Sequence, residues 1–340
     1  NETVPGDSIR PYESIQGSPM LGHAGQGVEC ICSERHSALV EPGHSPIPKH
    51  VTFVFSQRIR RWVSVLIRSR QLPILLEAYA PHLSVDSIPL ENFRGDTDVI
   101  VASKTVTKAP GYKLFFRRYS RQKVPVLYDL VDGNPRSTRW IDKHISAFMC
   151  SSRTEKDFRE SQKDYSFYVP HGLDLRIKPA MSTFSNFSLG YAGARRNAKH
   201  IEKLQIPSVE AGDMQSARGL ETLTDFISSH SHLYSVREYD RPGFKPGVKI
   251  FTAALAGACF IGSREDPETY RLLGPDYPYL ARDSSVEEVR KIIDFARSTF
   301  GTELHRKALS ILRDLRQEFC PARIAADLYN AIETVASPSS

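Results

Sequence analysis

The 340-residue chain lacks any run approaching the ~18 to 20 consecutive apolar residues that a membrane-spanning helix needs. Its first residues, NETVPGDSIRPYE, carry neither a basic n-region nor an apolar h-region. Cysteine is sparse: the five present, Cys30, Cys32, Cys150, Cys259 and Cys320, are odd in number and scattered, which argues against a disulfide framework and for a reducing compartment. A soluble, cytoplasmic protein is the expectation. Also missing are a G-x-x-x-x-G-K-[ST] phosphate loop, a G-x-S-x-G elbow, an H-E-x-x-H pair and a G-x-G-x-x-G fingerprint, which weakens the kinase, hydrolase, metalloprotease and dehydrogenase readings. The formal charge of +6 is modest for this length and no aromatic-plus-glycine signature of an RNA-binding sheet is present, so nucleic acid is not an expected partner.

An apolar content of 40% is enough for two domains, each with its own core. Residues 1–50 are rich in proline, glycine, serine and histidine without a sustained period, and read as an irregular extension with a short strand at 28–32. Cys30, Cys32, His36 and His44 fall there, but their C-x-C-x3-H spacing matches no common closed zinc site. From residue 51 to 174 apolar strands alternate with helices: VTFVF, a helix over 58–70, LPILLEA, DVIVAS, the helical KLFFRRYSRQ, VPVLYDL, AFMCSS and SFYVPHG. That alternation predicts an α/β fold with a parallel, doubly wound sheet. Ligands bind such sheets beyond the carboxyl ends of the strands, which points to Ser103 and Lys104, to Asp129 and Asp132, and to His171.

The helix over 58–70 sets Ile59, Trp62, Val63 and Leu66 on one face and Arg60, Arg61, Ser64 and Arg68 toward the other. Its arginines either stand in water or, if the partner is lipid-linked, meet anionic lipid in a peripheral contact. Residues 175–186 read as a linker. A second α/β domain over 187–335 then opens on FSLGYAG, a strand ending in Gly193. The basic turn Arg195, Arg196 and Lys199 follows and feeds a helix. IPSVEAG and HLYSVRE continue as strands around the helix ETLTDFISS, and Arg237 ends the second of them. Ser284 and Glu287 form a capping box, and helices over 303–319 and 324–335 finish the chain.

The stretch from residue 244 to 280 is the most informative. Pro246 and Gly247 open a helix over 248–256, Gly257 stops it, and a short buried strand ends near Ser263. Lys245 before that helix and Lys249 in its first turn stand at the positive end of a helix dipole, a pairing suited to phosphate or diphosphate, although a solvated lysine pair has the same pattern.

KPGVK, AALAG, the strand to Ser263, PETYRLLG and YPYLA resemble the nucleotide-sugar half of GT-B glycosyltransferases of the family 4 type. The order DVIVASK, VPVLYDLVD, YVPHGLD resembles their acceptor-side domain, with FSQRIRR in place of the usual glycine-rich turn. The resemblance implies two Rossmann-like domains facing across a cleft. It implies transfer of a sugar from a nucleoside diphosphate sugar to a hydroxyl on a glycan, a lipid-linked glycan or a small molecule. Gly193, Arg195, Arg196, Lys199, Arg237, Lys245, Lys249, Thr252 and Ser263 would form the donor site. Asp132, Asp129 or His171 would accept the acceptor's proton, and no metal or other cofactor would be needed where lysine and arginine neutralise the diphosphate. Many members carry paired glutamates at the positions of Phe244 and Thr252. A scaffold protein that has lost turnover and a sugar-nucleotide epimerase are the alternatives.

Overall fold

The computed structural model describes residues 48–59, 63–131, 139–172, 174–177, 184–210, 216–237 and 244–337. All fall within one unit, Pro42–Ser340. The expected strand at 28–32, Cys30, Cys32, His36 and His44, as well as Arg60, Arg61, Trp62 and Asp132, lie outside the described residues.

The chain enters through β1 (His50–Phe55), whose VTFVF run is buried on both faces. It continues into α1 (Val63–Val65), a π-helical turn (Leu66–Gln71) and α2 (Leu72–Tyr79). LPILLEA, expected as a strand, is therefore helix. Pro73 sits in the first turn of α2, where it is tolerated. It cannot donate to Ser69 O one turn back, and that carbonyl accepts instead from Ser87 Oγ. Ser87 belongs to β2 (Ser84–Pro89), a half-exposed edge strand too polar to stand out in the sequence. Then come β3 (Val99–Ser103), α3 (Tyr112–Arg121), β4 (Val126–Asp129), α4 (Arg139–Asp142), β5 (Ala147–Cys150), α5 (Arg153–Ser161) and β6 (Ser166–Tyr168). The sheet runs β2-β1-β3-β4-β5-β6 with every pair parallel.

A second parallel sheet follows, with β7 (Leu189–Ala192), β8 (Ser208–Val209), α6 (Ala217–Ser228), β9 (His232–Tyr234), α7 (Val248–Ala256), β10 (Cys259–Ser263), α8 (Pro267–Leu273) and β11 (Leu280–Ala281). The helices α9 (Val286–Ser298), α10 (Glu303–Glu318) and α11 (Pro321–Ala336) complete the chain. Its order, β11-β10-β9-β7-β8, reverses between β7 and β9, as the first sheet's does between β1 and β3. Such reversals open crevices at the carboxyl ends of the strands.

Several expectations change here. The basic turn after β7 feeds no α-helix: a 3-10 turn over Arg195–Asn197 gives way to irregular chain, with His200 and Gln205 at positive φ. Ser285, not Ser284, caps α9 by accepting from Glu288 N, while Ser284 N donates to Glu265. The last helix, expected with the second half, buries Ile324, Leu328 and Ile332 in the first sheet's core beside Leu72 and Leu76. The halves also meet at α5 and α8. There the buried Glu268 carboxylate accepts from Arg153 N and Thr154 N at 3.0 Å each, capping α5 from across the junction.

Candidate functional site

The β7–β9 crevice is built on a tyrosine and a glycine. Tyr191 on β7 is fully buried and its hydroxyl donates to Ala194 O at 2.8 Å, which fixes the ring as a floor. Gly193 follows at φ 139°, a conformation that favours glycine. An added Cβ would stand 3.1 Å from both Lys249 Nζ and Tyr191 Oη. The Gly193 N–H is already given to Val209 O in the sheet, so this glycine contributes room rather than a donor.

Into that room α7 delivers Lys249. Gly247 caps the helix and Gly257, at φ 67°, ends it, while its small residues Ala253, Ala254 and Ala256 let it settle on the sheet. Lys249 Nζ lies 3.5 Å from the centroid of the Tyr191 ring. It has no accessible surface and no hydrogen-bond partner among the described residues. Burial holds its pKa well below the usual lysine value, and the nearby Arg237 guanidinium lowers it further. A cation–π contact offsets only part of the desolvation of an ammonium. A buried, unsatisfied donor under the influence of a second cation is the electrostatic setting that an anion would complete.

The side chains of the other residues expected at the donor site have partners or exposure of their own. Arg195 and Arg196 are exposed, and Arg195 leans to the β8 edge, with Nε donating to Ser208 Oγ at 3.0 Å and its backbone N to Glu210. Lys199 Nζ donates to Ser284 Oγ in the loop after β11. Lys245 is exposed just before α7. Thr252 Oγ1 donates to Val248 O within the helix, and Ser263 Oγ accepts from Glu265 N, so both hydroxyls serve local backbone geometry. Phe244 packs its ring against Phe158 of α5 at 5.2 Å, an apolar contact between the halves where a carboxylate is common in the family that the sequence resembles.

At the first sheet two of the three expected proton acceptors, Asp129 and His171, are buried. Asp129 is buried and held by Arg68 in a two-pronged pair, Nε to Oδ2 at 3.0 Å and Nη2 to Oδ1 at 3.1 Å. Arg68 also donates to Val169 O and Pro170 O at 2.7 Å each. Arg68, expected on an outward face and a candidate for lipid contact, is thus 1% exposed and locks the ends of β4 and β6 together. The π-helical turn aims it inward, along with Gln71, which binds the Asp174 carboxylate and Leu175 N where the linker starts. His171 is buried in a slot of about 10 Å³ lined by Ile67, Leu72, Leu75, Phe319 and Ile324. A further acid escaped notice in the sequence. Glu155 at the start of α5 is buried beside Asp129, and burial first, then that neighbouring charge, push its pKa up to about 8.

A larger cavity of about 450 Å³ opens beyond β3 and β4, lined by Lys104, Lys108, Tyr112, Lys113 and Trp140, with no acidic residue among the described residues that line it. Lys113 Nζ and the Arg117 guanidinium stand 5.9 and 5.8 Å from the Trp140 ring centroid. Only Lys104 was legible in the sequence, through its place at a strand end.

No family model and no curated protein matches the chain. Solved structures do. HepE of Anabaena in complex with UDP aligns over 84% of this chain and 100% of its own at a TM-score of 0.57 and 13% identity. Sucrose-phosphate synthase of Thermosynechococcus elongatus aligns over 84% and 99% at 0.59 and 13% identity. A glycosyltransferase of Rickettsia africae aligns over 86% and 99% at 0.57 and 12% identity. With two parallel sheets, paired topological reversals and a last helix that returns to the first core, the chain has the GT-B fold of the glycosyltransferases.

Proposed function

We propose that the protein is a glycosyltransferase that uses a nucleoside diphosphate sugar and holds the diphosphate between Lys249, Arg237 and the Gly193 turn. The observation that carries this reading is the buried Lys249 ammonium, unpartnered and beside a second cation, at the β7–β9 reversal. UDP bound to HepE, which shares the fold, supports a nucleotide in that crevice. In the transfer the acceptor oxygen bonds to the anomeric carbon as its bond to the diphosphate breaks. Charge builds on the departing phosphate oxygen, and fixed cations in a water-poor crevice stabilise it most at that moment. Those cations also neutralise the leaving group, so transfer should proceed without added divalent ion.

The acceptor is assigned to the basic, aromatic cavity of the first half. Trp140 and Tyr112 suit the face of a sugar ring, and Lys108 and Lys113 suit an anionic group on it, so a charged saccharide is the favoured acceptor. With Asp129 paired to Arg68 and His171 closed in, the acceptor proton is assigned to Asp132. Its replacement by asparagine should lower transfer by about 10² to 10⁴ with donor affinity unchanged.

Calorimetry with UDP and with uridine tests the donor site. Lys249→Met should weaken UDP by about 1.5 to 3 kcal/mol and leave uridine nearly untouched. Equal losses for both would remove Lys249 from the diphosphate. Release of free sugar or of an epimer from UDP-glucose, with no acceptor glycosylated, would favour the epimerase or a degenerate enzyme instead.

A further inference from the structure

At the opposite end of the second sheet, the amino ends of β9 and β10 carry His232 and Cys259, which are direct neighbours in the parallel register. His305 in the first turn of α10 covers the same point. One ring nitrogen of each histidine and Cys259 Sγ all lie within 4.8 Å of one another, and all three side chains are buried. We propose that His232, Cys259 and His305 form a structural site for a thiophilic d¹⁰ metal ion, zinc or cuprous copper, in the core of the second half.

Two observations beyond proximity support it. His232 Nε2 and His305 Nε2 have no accessible surface and no hydrogen-bond partner among the described residues, and buried polar atoms in that condition need an explanation. The other ring nitrogen of His232 is engaged: Nδ1 lies 3.0 Å from Ser231 Oγ, which orients the imidazole and leaves Nε2 as the nitrogen without a partner among the described residues. Metal–nitrogen and metal–sulfur bonds of about 2.0 and 2.3 Å would require the ligand atoms to draw together by about 1 Å.

Phe187, Tyr279 and Phe300 ring the cluster, with centroids 4.8, 5.4 and 6.2 Å from His232. On binding, the thiol proton is released to solvent and the thiolate and two neutral imidazoles donate to the ion. One thiolate balances Cu⁺ completely and Zn²⁺ by half, so the apolar surroundings favour the monovalent ion. The site is remote from the β7–β9 crevice, at the other end of the strands, and its role is to tie α10 to the sheet.

The full chain, stripped by chelator, is titrated with Zn²⁺, with Co²⁺ as a spectroscopic stand-in, and with buffered Cu⁺. One equivalent should bind, raise the melting temperature and, with cobalt, give a thiolate-to-metal charge-transfer band. Cys259→Ala and His305→Gln should each weaken binding at least tenfold, and Cys30→Ser with Cys32→Ser should not. The same titration of the unaltered chain guards against misfolded variants. No uptake by it, or uptake that survives Cys259→Ala and fails in the Cys30 and Cys32 double variant, would overturn the assignment.

Discussion

Arg68 in the first half and Lys249 in the second both bury their cationic groups, and the two are treated in opposite ways. Arg68 in the first half has a carboxylate matched to both prongs of its guanidinium and two carbonyls besides. Among the described residues, Lys249 in the second half has only the face of Tyr191 and the repulsion of Arg237. A satisfied buried charge holds the fold together, whereas an unsatisfied one is costly until something from outside completes it. That contrast is what singles out Lys249 in the proposed donor site.

The largest effect should come from breaking the satisfied pair. Arg68→Ala removes the two-pronged partner of the buried Asp129 carboxylate and should cost about 3 to 5 kcal/mol in denaturant unfolding. Arg68→Met combined with Asp129→Leu should recover much of that loss. A single variant as stable as the parent would show the pair to be unimportant.

Lys249 should respond in the reverse sense. Without ligand, Lys249→Met removes an uncompensated charge, so the melting temperature should hold or rise even as UDP affinity falls. The pH profile sharpens this. Because the folded-state pKa lies below the ordinary 10.5, the unfolded chain binds more protons in the window beneath that value, and the stability of the unliganded protein should climb as pH rises through it. Saturating UDP or the methionine variant should flatten the climb. Glu155 runs the other way: its raised pKa of about 8 means that stability present below the ordinary 4.5 is lost as pH rises through 8. Melting curves of Glu155→Gln across that range should lack the decline.

The smallest change concerns the junction between the halves. Glu268→Ala removes the carboxylate that caps α5 from α8 and should cost about 0.5 to 2 kcal/mol, the usual worth of a helix cap. Thermal unfolding checks it, and an unchanged melting temperature would mean that water caps the helix as well.

Strand and helix alternation, the boundaries of α7, and the Lys245 and Lys249 pair at its start were all readable from the chain, because apolar periodicity and glycine stops are local signals. The sequence also put Gly193 and Arg237 at strand ends, which a parallel sheet brings to one rim. It could not say which cations would be paired, because pairing depends on contacts between segments far apart in the chain. The single widened turn ahead of Pro73 was enough to rotate Arg68 from an outward face to the interior, where it found Asp129. The partners that Arg195 and Lys199 take, Ser208 and Ser284, lie on segments far along the chain, which no spacing encodes. The gathering of His232, Cys259 and His305 arose the same way, from strand register and the docking of α10, so composition and local pattern fixed the elements while tertiary packing chose the partners.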